Sequence, residues 1–311
     1  MVNGARTYVH QLSDMSSKKA PRILSIQSHV VYGYVGNKSA TFPLQLLGFE
    51  VDAINSVQLS NHTGYKVFKG QVLNDRDLED LMDGLAQNDL DNYTHLLTGY
   101  VGSASFLKRI AGVVRALKDK NPDLVYVCDP VMGDNGVMYV PDSLKEIYMN
   151  EIVPLADILT PNQFELELLT GIKIDTMSEL QNAVKELHKA GPRTVAVSST
   201  EIDNNLTAIV STIEDNTLIK INIPKLPATF TGSGDLFAAL FLAHTYLQDN
   251  IKDALEKTVN SLHMVLRKTY EHSQASEDEE SQPAKRIELR LIHSKNYIEN
   301  PEMHLHAEPL V

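Results

Sequence analysis

Residues 124–134 read LVYVCDPVMGD, an apolar run of strand-forming residues followed by Asp129, a proline, a glycine and Asp134. The run 124–128 is rich in Val and Tyr, which is typical of a buried strand in the middle of a sheet. An Asp-Pro pair is a common loop signal, so the strand should end before it. In open α/β sheets, ligands collect at the carboxyl ends of the strands. The stretch therefore predicts a central strand with a ligand site at its end.

Outward from this stretch, strand-like runs alternate with helical patterns in both directions along the chain. The predicted strands are 22–27, 50–56, 95–98, 124–128, 156–159 and 194–197. The predicted helices are 38–47, 75–88, 105–118, 163–170, 178–190, 234–248 and 251–271. Such alternation predicts an α/β fold with a central, mostly parallel sheet and helices on both faces.

The C-terminal third departs from this alternation. Runs 208–213 and 218–223 are typical of a hairpin around Asp215-Asn216. Run 286–293, RIELRLIH, alternates apolar and polar residues and predicts a last edge strand.

Domain organisation follows from the same composition. Residues 1–20 mix polar, charged and small residues, which predicts a disordered tail. Residues 21–311 contain no clear linker and are expected to form one domain. Within it, 273–285 is acidic and almost without apolar residues, which favours a flexible loop.

Composition argues against several classes of partner and compartment. The 311 residues carry a formal net charge of −12 and form no strong basic patch, which argues against nucleic acid or an anionic membrane as the main partner. No apolar run is long enough to span a bilayer. The single cysteine, Cys128, cannot form an internal disulfide and is expected to be an inert core thiol. These features predict a cytoplasmic protein.

The sharpest local motif is TGSGD at 231–235, directly before a strong helical pattern. Glycines allow close backbone approach, and a helix N-terminus presents unpaired N–H groups and a positive dipole end. Together they could form an anion site for a transferring phosphate, with Asp235 accepting a hydroxyl proton. The alternative is an ordinary helix start, with Ser233 as N-cap and Asp235 as a first-turn acid.

Several motifs occur in a recognisable order along the chain. They are SIQSHVVYGYVGN (25–37), NSVQLSNHTGY (55–65), LTGY (97–100), DPVMGD (129–134), TPNQFE (160–165) and TGSGD (231–235). In this order the chain resembles the pyridoxal kinases, which are ribokinase-like. The fourth and fifth motifs are shared by several B-vitamin kinases, whereas the first two are typical of the pyridoxal branch.

The resemblance implies a ribokinase-like three-layer sandwich and ATP-dependent phosphorylation of the 5′-hydroxymethyl group of pyridoxal, pyridoxine and pyridoxamine. Asp235 resembles the catalytic base, and Gly232, Ser233 and Gly234 resemble the anion hole. The residues implied for the B6 site are Ser28, Val35, Val57, His62, Thr63 and Tyr100. Leu59 stands where the family often has an aromatic residue, so ring stacking there is not implied.

The resemblance also implies the ATP and cation sites. The residues implied for ATP are Asp129, Tyr139, Asn162, Ser198, Ser199, Leu226, Phe230, Thr231, Gly232 and Ser233. Those implied for cations are Asp129, Asp134, Thr160, Glu165 and Ser198, with Mg²⁺ or Zn²⁺ beside ATP and K⁺ or Na⁺ as monovalent activator. Residues 134–139 correspond to the lid over the site in the family, and this segment is shorter here than is usual in the family. Its members are commonly homodimers.

Plainer interpretations stay open for these residues. Asp129 and Asp134 could be simple turn acids, and Asn162 with Glu165 matches a helix capping box. Thr160 precedes a proline and is expected to be extended and exposed. Three other functions compete with a pyridoxal kinase: a kinase for another hydroxymethyl substrate such as the thiamin pyrimidine precursor, a binding protein without catalysis, and a nucleotide-dependent oxidoreductase. The absence of a dinucleotide fingerprint disfavours the last.

Overall fold

The computed structural model describes residues 20–214, 218–275 and 282–310. Its strands are β1 (Arg22–Val30), β2 (Glu50–Leu59), β3 (Gly70–Val72), β4 (His95–Thr98), β5 (Val125–Cys128), β6 (Gly133–Asp134), β7 (Val137–Met138), β8 (Ile158–Leu159), β9 (Thr194–Ile202), β10 (Asn205–Thr212), β11 (Leu218–Asn222) and β12 (Glu308–Pro309). Ten of these described strands form one sheet in the order β12-β11-β10-β9-β8-β5-β4-β1-β2-β3, and β6 pairs with β7 separately. The six strands from β9 to β2 in this order run parallel, and the flanking strands pair antiparallel.

Helices cover both faces of the sheet. They are α1 (Asn37–Leu46), α2 (Asp75–Gln87), α3 (Ala104–Lys120), α4 (Ser143–Ile147), α5 (Gln163–Thr170), α6 (Met177–Ala190), α7 (Ser233–Leu247), α8 (Ile251–Ala275), α9 (Pro283–Arg286) and α10 (Lys295–Glu299). Short π and 3₁₀ turns span Tyr148–Ile152, Val153–Leu155 and Ile292–Ser294. One apolar cluster contains α3 and α6 residues, and a second contains α1, α7 and α8 residues. The predicted α/β three-layer fold is confirmed.

Two predictions in the C-terminal region need correction. Residues 286–293 do not form an edge strand: they contain the end of α9, a turn and the start of a 3₁₀ turn. Leu289 and Leu291 are fully buried there, and the edge position beside β11 is taken by β12. The predicted loop 273–285 is also too long, because 273–275 belong to α8 and Pro283–Arg286 form α9.

Some predictions fall on residues that the structure does not describe. The predicted tail 1–20 lies outside the described residues except for Ala20, and so does the 276–281 part of the acidic loop. The hairpin between β10 and β11 is antiparallel as predicted, while its turn at Asp215-Asn216 is not described. In the part of the chain that is described, no helix combines the length and apolarity that a membrane span requires.

Cys128 is the last residue of β5 and is buried. Burial raises the pKa of its thiol to about 12, so the reactive thiolate is scarce at neutral pH. The expectation of an unreactive core thiol agrees with this environment.

Candidate active site

The TGSGD motif forms the start of α7. Gly232 is the N-cap in the left-handed conformation, with φ of 84°, and Ser233 is the first helical residue. The interpretation of Ser233 as N-cap is therefore wrong; its hydroxyl instead donates to the carbonyl of Phe230 at 3.4 Å. The first N–H groups of a helix have no partner within the helix, so this end of α7 can hold an anion.

Asp235 sits in the first turn of α7 and is partly exposed. The backbone N–H of Gly36 donates to Oδ2 of Asp235 at 2.7 Å. Burial raises the pKa of this carboxyl above its ordinary value, while the Gly36 hydrogen bond opposes the rise. A carboxylate whose pKa is raised is a better proton acceptor than an exposed aspartate.

Asp129 and Thr160 lie side by side at the carboxyl ends of β5 and β8. The N–H of Asp129 donates to the carbonyl of Thr98 at 2.9 Å, and that of Thr160 to the carbonyl of Cys128 at 3.0 Å. Both residues are buried, with 4% and 2% exposure. The expectation that Thr160 is exposed is therefore wrong, because its side chain turns inward and its hydroxyl donates to the carbonyl of Cys128 at 3.5 Å.

Asp129 also faces the start of α7. A side chain built at Gly234 would place its Cβ 3.9 Å from Oδ2 of Asp129. The pKa of Asp129 lies well above its ordinary value, first because of burial and then because of the nearby charges of Glu165 and Asp235. The carboxyl groups of Asp129, Glu165 and Asp235 thus form one acidic region, whose mutual repulsion favours their neutral forms.

Glu165 is buried and shapes the loop after β5. Its Oε1 accepts from the N–H of Met132 at 2.9 Å, and its Oε2 accepts from that of Asn162 at 3.0 Å. The Asn162 side chain accepts in turn from the N–H of Glu165, so the predicted capping box is present. Burial raises the pKa of Glu165 to about 8, against the effect of these backbone donors. Glu165 is thus both a structural residue and part of the acidic region.

Asp134 ends β6, which with β7 forms the short hairpin over residues 133–138. The N–H of Asn135 donates to Oδ1 of Asp134 at 2.8 Å, as a turn acid does. The carboxylate of Asp134 is nevertheless partly shielded from solvent, and this burial raises its pKa. Tyr139 follows the hairpin and is exposed.

A cavity of about 780 Å³ opens beside the start of α7. The predicted residues that line it are Asp134, Asn162, Ser198, Ser199, Leu226, Phe230, Ser233 and Gly234. Asp129, Tyr139, Thr160, Glu165, Thr231, Gly232 and Asp235 are not among the residues that line it. Thr231 is exposed.

Sequence reasoning missed the wall of this cavity that α8 supplies. Val259, Leu262, His263 and Leu266 line the cavity, and burial lowers the pKa of His263. The apolar periodicity of α8 could have indicated such a wall, but the same pattern is typical of any helix packed on a core.

The predicted B6-site residues gather at the carboxyl ends of β1, β2 and β4. Ser28 and Val57 are paired across β1 and β2, and the Ser56 hydroxyl donates to the Tyr100 carbonyl at 3.0 Å. Val35 borders the anion-site turn, with its Cγ1 3.3 Å from a Cβ built at Gly232. These contacts bring residues from three segments that are far apart in the sequence to the same end of the sheet.

His62 and Thr63 belong to the loop between β2 and β3. His62 is buried, whereas Thr63 is exposed. Nδ1 of His62 accepts from the N–H of Gly64 at 3.1 Å. This hydrogen bond fixes the imidazole of His62, next to the exposed Thr63 that a ligand could contact.

The chain is similar to known kinases over most of its length. The family model described as phosphomethylpyrimidine kinase matches residues 53–278. The pyridoxal kinase of Bos taurus is 49% identical over 307 residues, covering 93% of this chain and 98% of that protein, and the pyridoxal kinase of Arabidopsis thaliana is 52% identical over 293 residues, covering 92% and 94%. Among solved structures, the pyridoxal kinase of Leishmania donovani in complex with ADP and pyridoxamine superposes with a TM-score of 0.86 at 33% identity, covering 93% of this chain and 99% of that one.

Proposed function

Because this chain belongs to the pyridoxal kinases, we propose that it transfers the terminal phosphoryl group of ATP to the 5′-hydroxymethyl group of pyridoxal, pyridoxine and pyridoxamine. One observation carries the proposal: Asp235 stands in the first turn of α7, next to a helix end that can hold an anion. We assign the nucleotide to the cavity beside the start of α7 and the vitamer to the carboxyl ends of β1 and β2.

Asp235 acts as the base. Its carboxylate accepts the proton of the vitamer hydroxyl while that oxygen attacks the phosphorus. The Gly36 N–H holds one carboxylate oxygen, which orients the other toward the substrate. Surroundings that raise the pKa of Asp235 strengthen it as a proton acceptor.

The amides of Gly232, Ser233 and Gly234 form the anion hole. Backbone donors fixed at a helix start need no reorganisation when negative charge develops on the transferring group. Gly232 suits this position because a side chain there would overlap the carbonyl oxygen of Tyr34. Positioning and charge stabilisation then supply most of the catalysis.

The acidic region fits a cation bound together with nucleotide. Among the described residues, no group of three His, Cys, Asp or Glu side chains forms a ready metal site, which suits an ion held largely by phosphate oxygens and water. The residues proposed to hold Mg²⁺ or Zn²⁺ and a monovalent K⁺ or Na⁺ are Asp129, Asp134, Thr160, Glu165 and Ser198. When bound, these cations neutralise phosphate charge.

Two separate groups of residues are assigned to the two substrates. Ser28 and Thr63 contact the polar groups of the vitamer ring beside His62, and the apolar walls are Val35, Val57 and Tyr100. The nucleotide contacts are Asp129, Tyr139, Asn162, Ser198, Ser199, Leu226, Phe230 and Thr231.

A coupled ADP-release assay tests the proposal. Purified protein is given MgATP and each of the three B6 vitamers, with K⁺, with Na⁺ and with neither, and the thiamin pyrimidine precursor serves as the rival substrate. We expect ADP release with B6 vitamers and little with the pyrimidine. Faster turnover of the pyrimidine, or no release with any vitamer, would refute the assignment.

We also propose that the protein is a cytoplasmic homodimer. A free, buried cysteine suits a reducing compartment, and dimers are common in the family. Analytical ultracentrifugation and cell fractionation test the two statements separately.

A further inference from the structure

Glu288 connects three segments that are far apart in the sequence. Its Oε2 accepts from the backbone N–H of Tyr34 at 3.0 Å, and its Oε1 accepts from the hydroxyl of Tyr65 at 2.9 Å. The imidazole Nε2 of His62 lies 3.4 Å from the same Oε1, and the Glu288 side chain is only 11% exposed. One nearly buried carboxylate thus binds the loop after β1 and the loop after β2.

The first of these loops leads directly to the proposed base. Tyr34 is two residues from Gly36, whose N–H binds Asp235. The Tyr34 carbonyl also lies against Gly232, because a side chain at Gly232 would overlap that oxygen. The backbone group that Glu288 binds is therefore part of the segment that touches both the base and the anion hole.

The second loop carries Thr63, which is proposed to contact the vitamer. His62 and Tyr65 flank it, with ring centroids 4.8 Å apart, and both contact Glu288. Burial and the hydrogen bond to Glu288 raise the pKa of Tyr65, so its hydroxyl stays protonated and can donate.

The Glu288 carboxylate also lies directly against the backbone of the loop after β1. A side chain built at Gly33 would overlap both of its oxygens, and Gly33 has φ of 91°. A glycine here lets the backbone approach the carboxylate closely. The carboxylate therefore contacts the backbone of Gly33, next to the Tyr34 N–H that it accepts from.

We propose that Glu288 is a positioning residue for phosphoryl transfer, which holds the Thr63 loop and the Gly36 N–H in register with Asp235. A carboxylate suits this role because it accepts several hydrogen bonds and offers no donor. The inference rests on the proposed function and adds a residue that touches neither substrate. It assigns Glu288 to the vitamer side, since none of its contacts line the nucleotide cavity.

The test compares steady-state kinetics of E288A, E288Q and Y65F with those of wild type. Small displacements of reacting groups have large kinetic effects, so we expect E288A to raise KM for pyridoxal about tenfold and to lower kcat, with KM for ATP within about twofold. E288Q keeps an acceptor for one loop and should recover part of the loss. Y65F removes a single donor and should raise KM for pyridoxal by about threefold.

The matched control is E271A. Glu271 is an exposed glutamate that accepts from Arg267 at 2.9 Å and Lys268 at 3.0 Å on α8, so its loss should leave both KM values unchanged. Parallel rises of both KM values in E288Q and Y65F, or a lower melting temperature with unchanged kinetics, would reduce Glu288 to a structural role and overturn the inference. If E288A does not fold, the KM values of E288Q and Y65F for pyridoxal and ATP are sufficient to test the inference. A wild type inactive toward vitamers would instead refute the proposed function.

Discussion

The backbone N–H of Gly36 and Oδ2 of Asp235 are joined by a 2.7 Å hydrogen bond between residues 199 positions apart. The bond links the loop after β1 to the first turn of α7. It favours the charged carboxylate, whereas burial, the larger effect, favours the neutral acid. The base is therefore fixed in orientation while its proton affinity stays high.

Replacing Asp235 with Asn should abolish base catalysis and keep the structure. The Asn side-chain oxygen can still accept from Gly36, so folding should be preserved. We expect kcat to fall by about 10² to 10⁴, with KM for ATP nearly unchanged, in the ADP-release assay. Near-normal turnover in a folded D235N protein would remove Asp235 from the role of base.

The same substitution should stabilise the nucleotide-free protein at alkaline pH. The pKa of Asp235 is raised in the folded state above its ordinary value of 3.8. The free energy of unfolding therefore falls as the pH rises from 3.8 through the raised pKa, and the full cost of burying the charged form persists above that pKa. D235N removes that cost. Thermal unfolding should show a higher melting temperature for D235N at pH 8, and the gain should shrink as the pH falls toward 4.

E271Q provides the control for this pH series. The pKa of Glu271 is lowered by its hydrogen bonds to Arg267 and Lys268, so its neutral replacement should give no gain at pH 8. An equal gain in both variants would mean that the effect of D235N reflects net charge and not local burial.

Alanine at Gly232 should damage the anion hole. Gly232 has φ of 84°, and a Cβ there would overlap the Tyr34 carbonyl. Gly171 is the matched control, because it has φ of 71° but nothing within 4 Å of its built Cβ. Both variants should lose about 1 kcal/mol from the left-handed conformation, and G232A should lose more because its Cβ would overlap the backbone carbonyl of Tyr34; denaturant unfolding measures both losses. Only G232A should also lose kcat, by about 10²-fold, and equal kinetic losses in both would contradict the role of the turn.

Local patterns predicted the central fold well. The prediction for β4 has the same bounds as the strand, 95–98, and α7 begins within one residue of its predicted start. Both elements have strong, self-contained signals: a short apolar run before a glycine, and a glycine turn before a continuous apolar helix.

Non-local contacts explain what the patterns missed. Run 286–293 alternates apolar and polar residues like a strand, yet Leu289 and Leu291 are buried in the core beside α7 and α8. Tertiary packing therefore decides the conformation here, and not the alternation that favours a strand. Glu288 within this run acquires its neighbours only through folding, from residues 34, 62 and 65. No spacing in the sequence indicates such a convergence.

Asn162 should affect nucleotide binding and stability together. Its side chain caps α5 by accepting from Glu165 at 2.9 Å, and it donates to the carbonyl of Gly133 at 2.8 Å. The second bond holds the hairpin formed by β6 and β7 at the cavity. N162A should therefore lose about 1 kcal/mol of unfolding free energy and raise KM for ATP by about five- to tenfold, with KM for pyridoxal unchanged.

T176A separates these two effects. Thr176 caps α6 with the same capping box, accepting from Glu179 at 3.3 Å, but it does not line the cavity. Its loss should reduce stability as N162A does and leave KM for ATP unchanged. If both variants raised KM for ATP equally, the effect of N162A would come from general loosening of the fold. If N162A alone raised it, Asn162 would be established as part of the nucleotide site, through its own contact with the nucleotide or through its bond to Gly133.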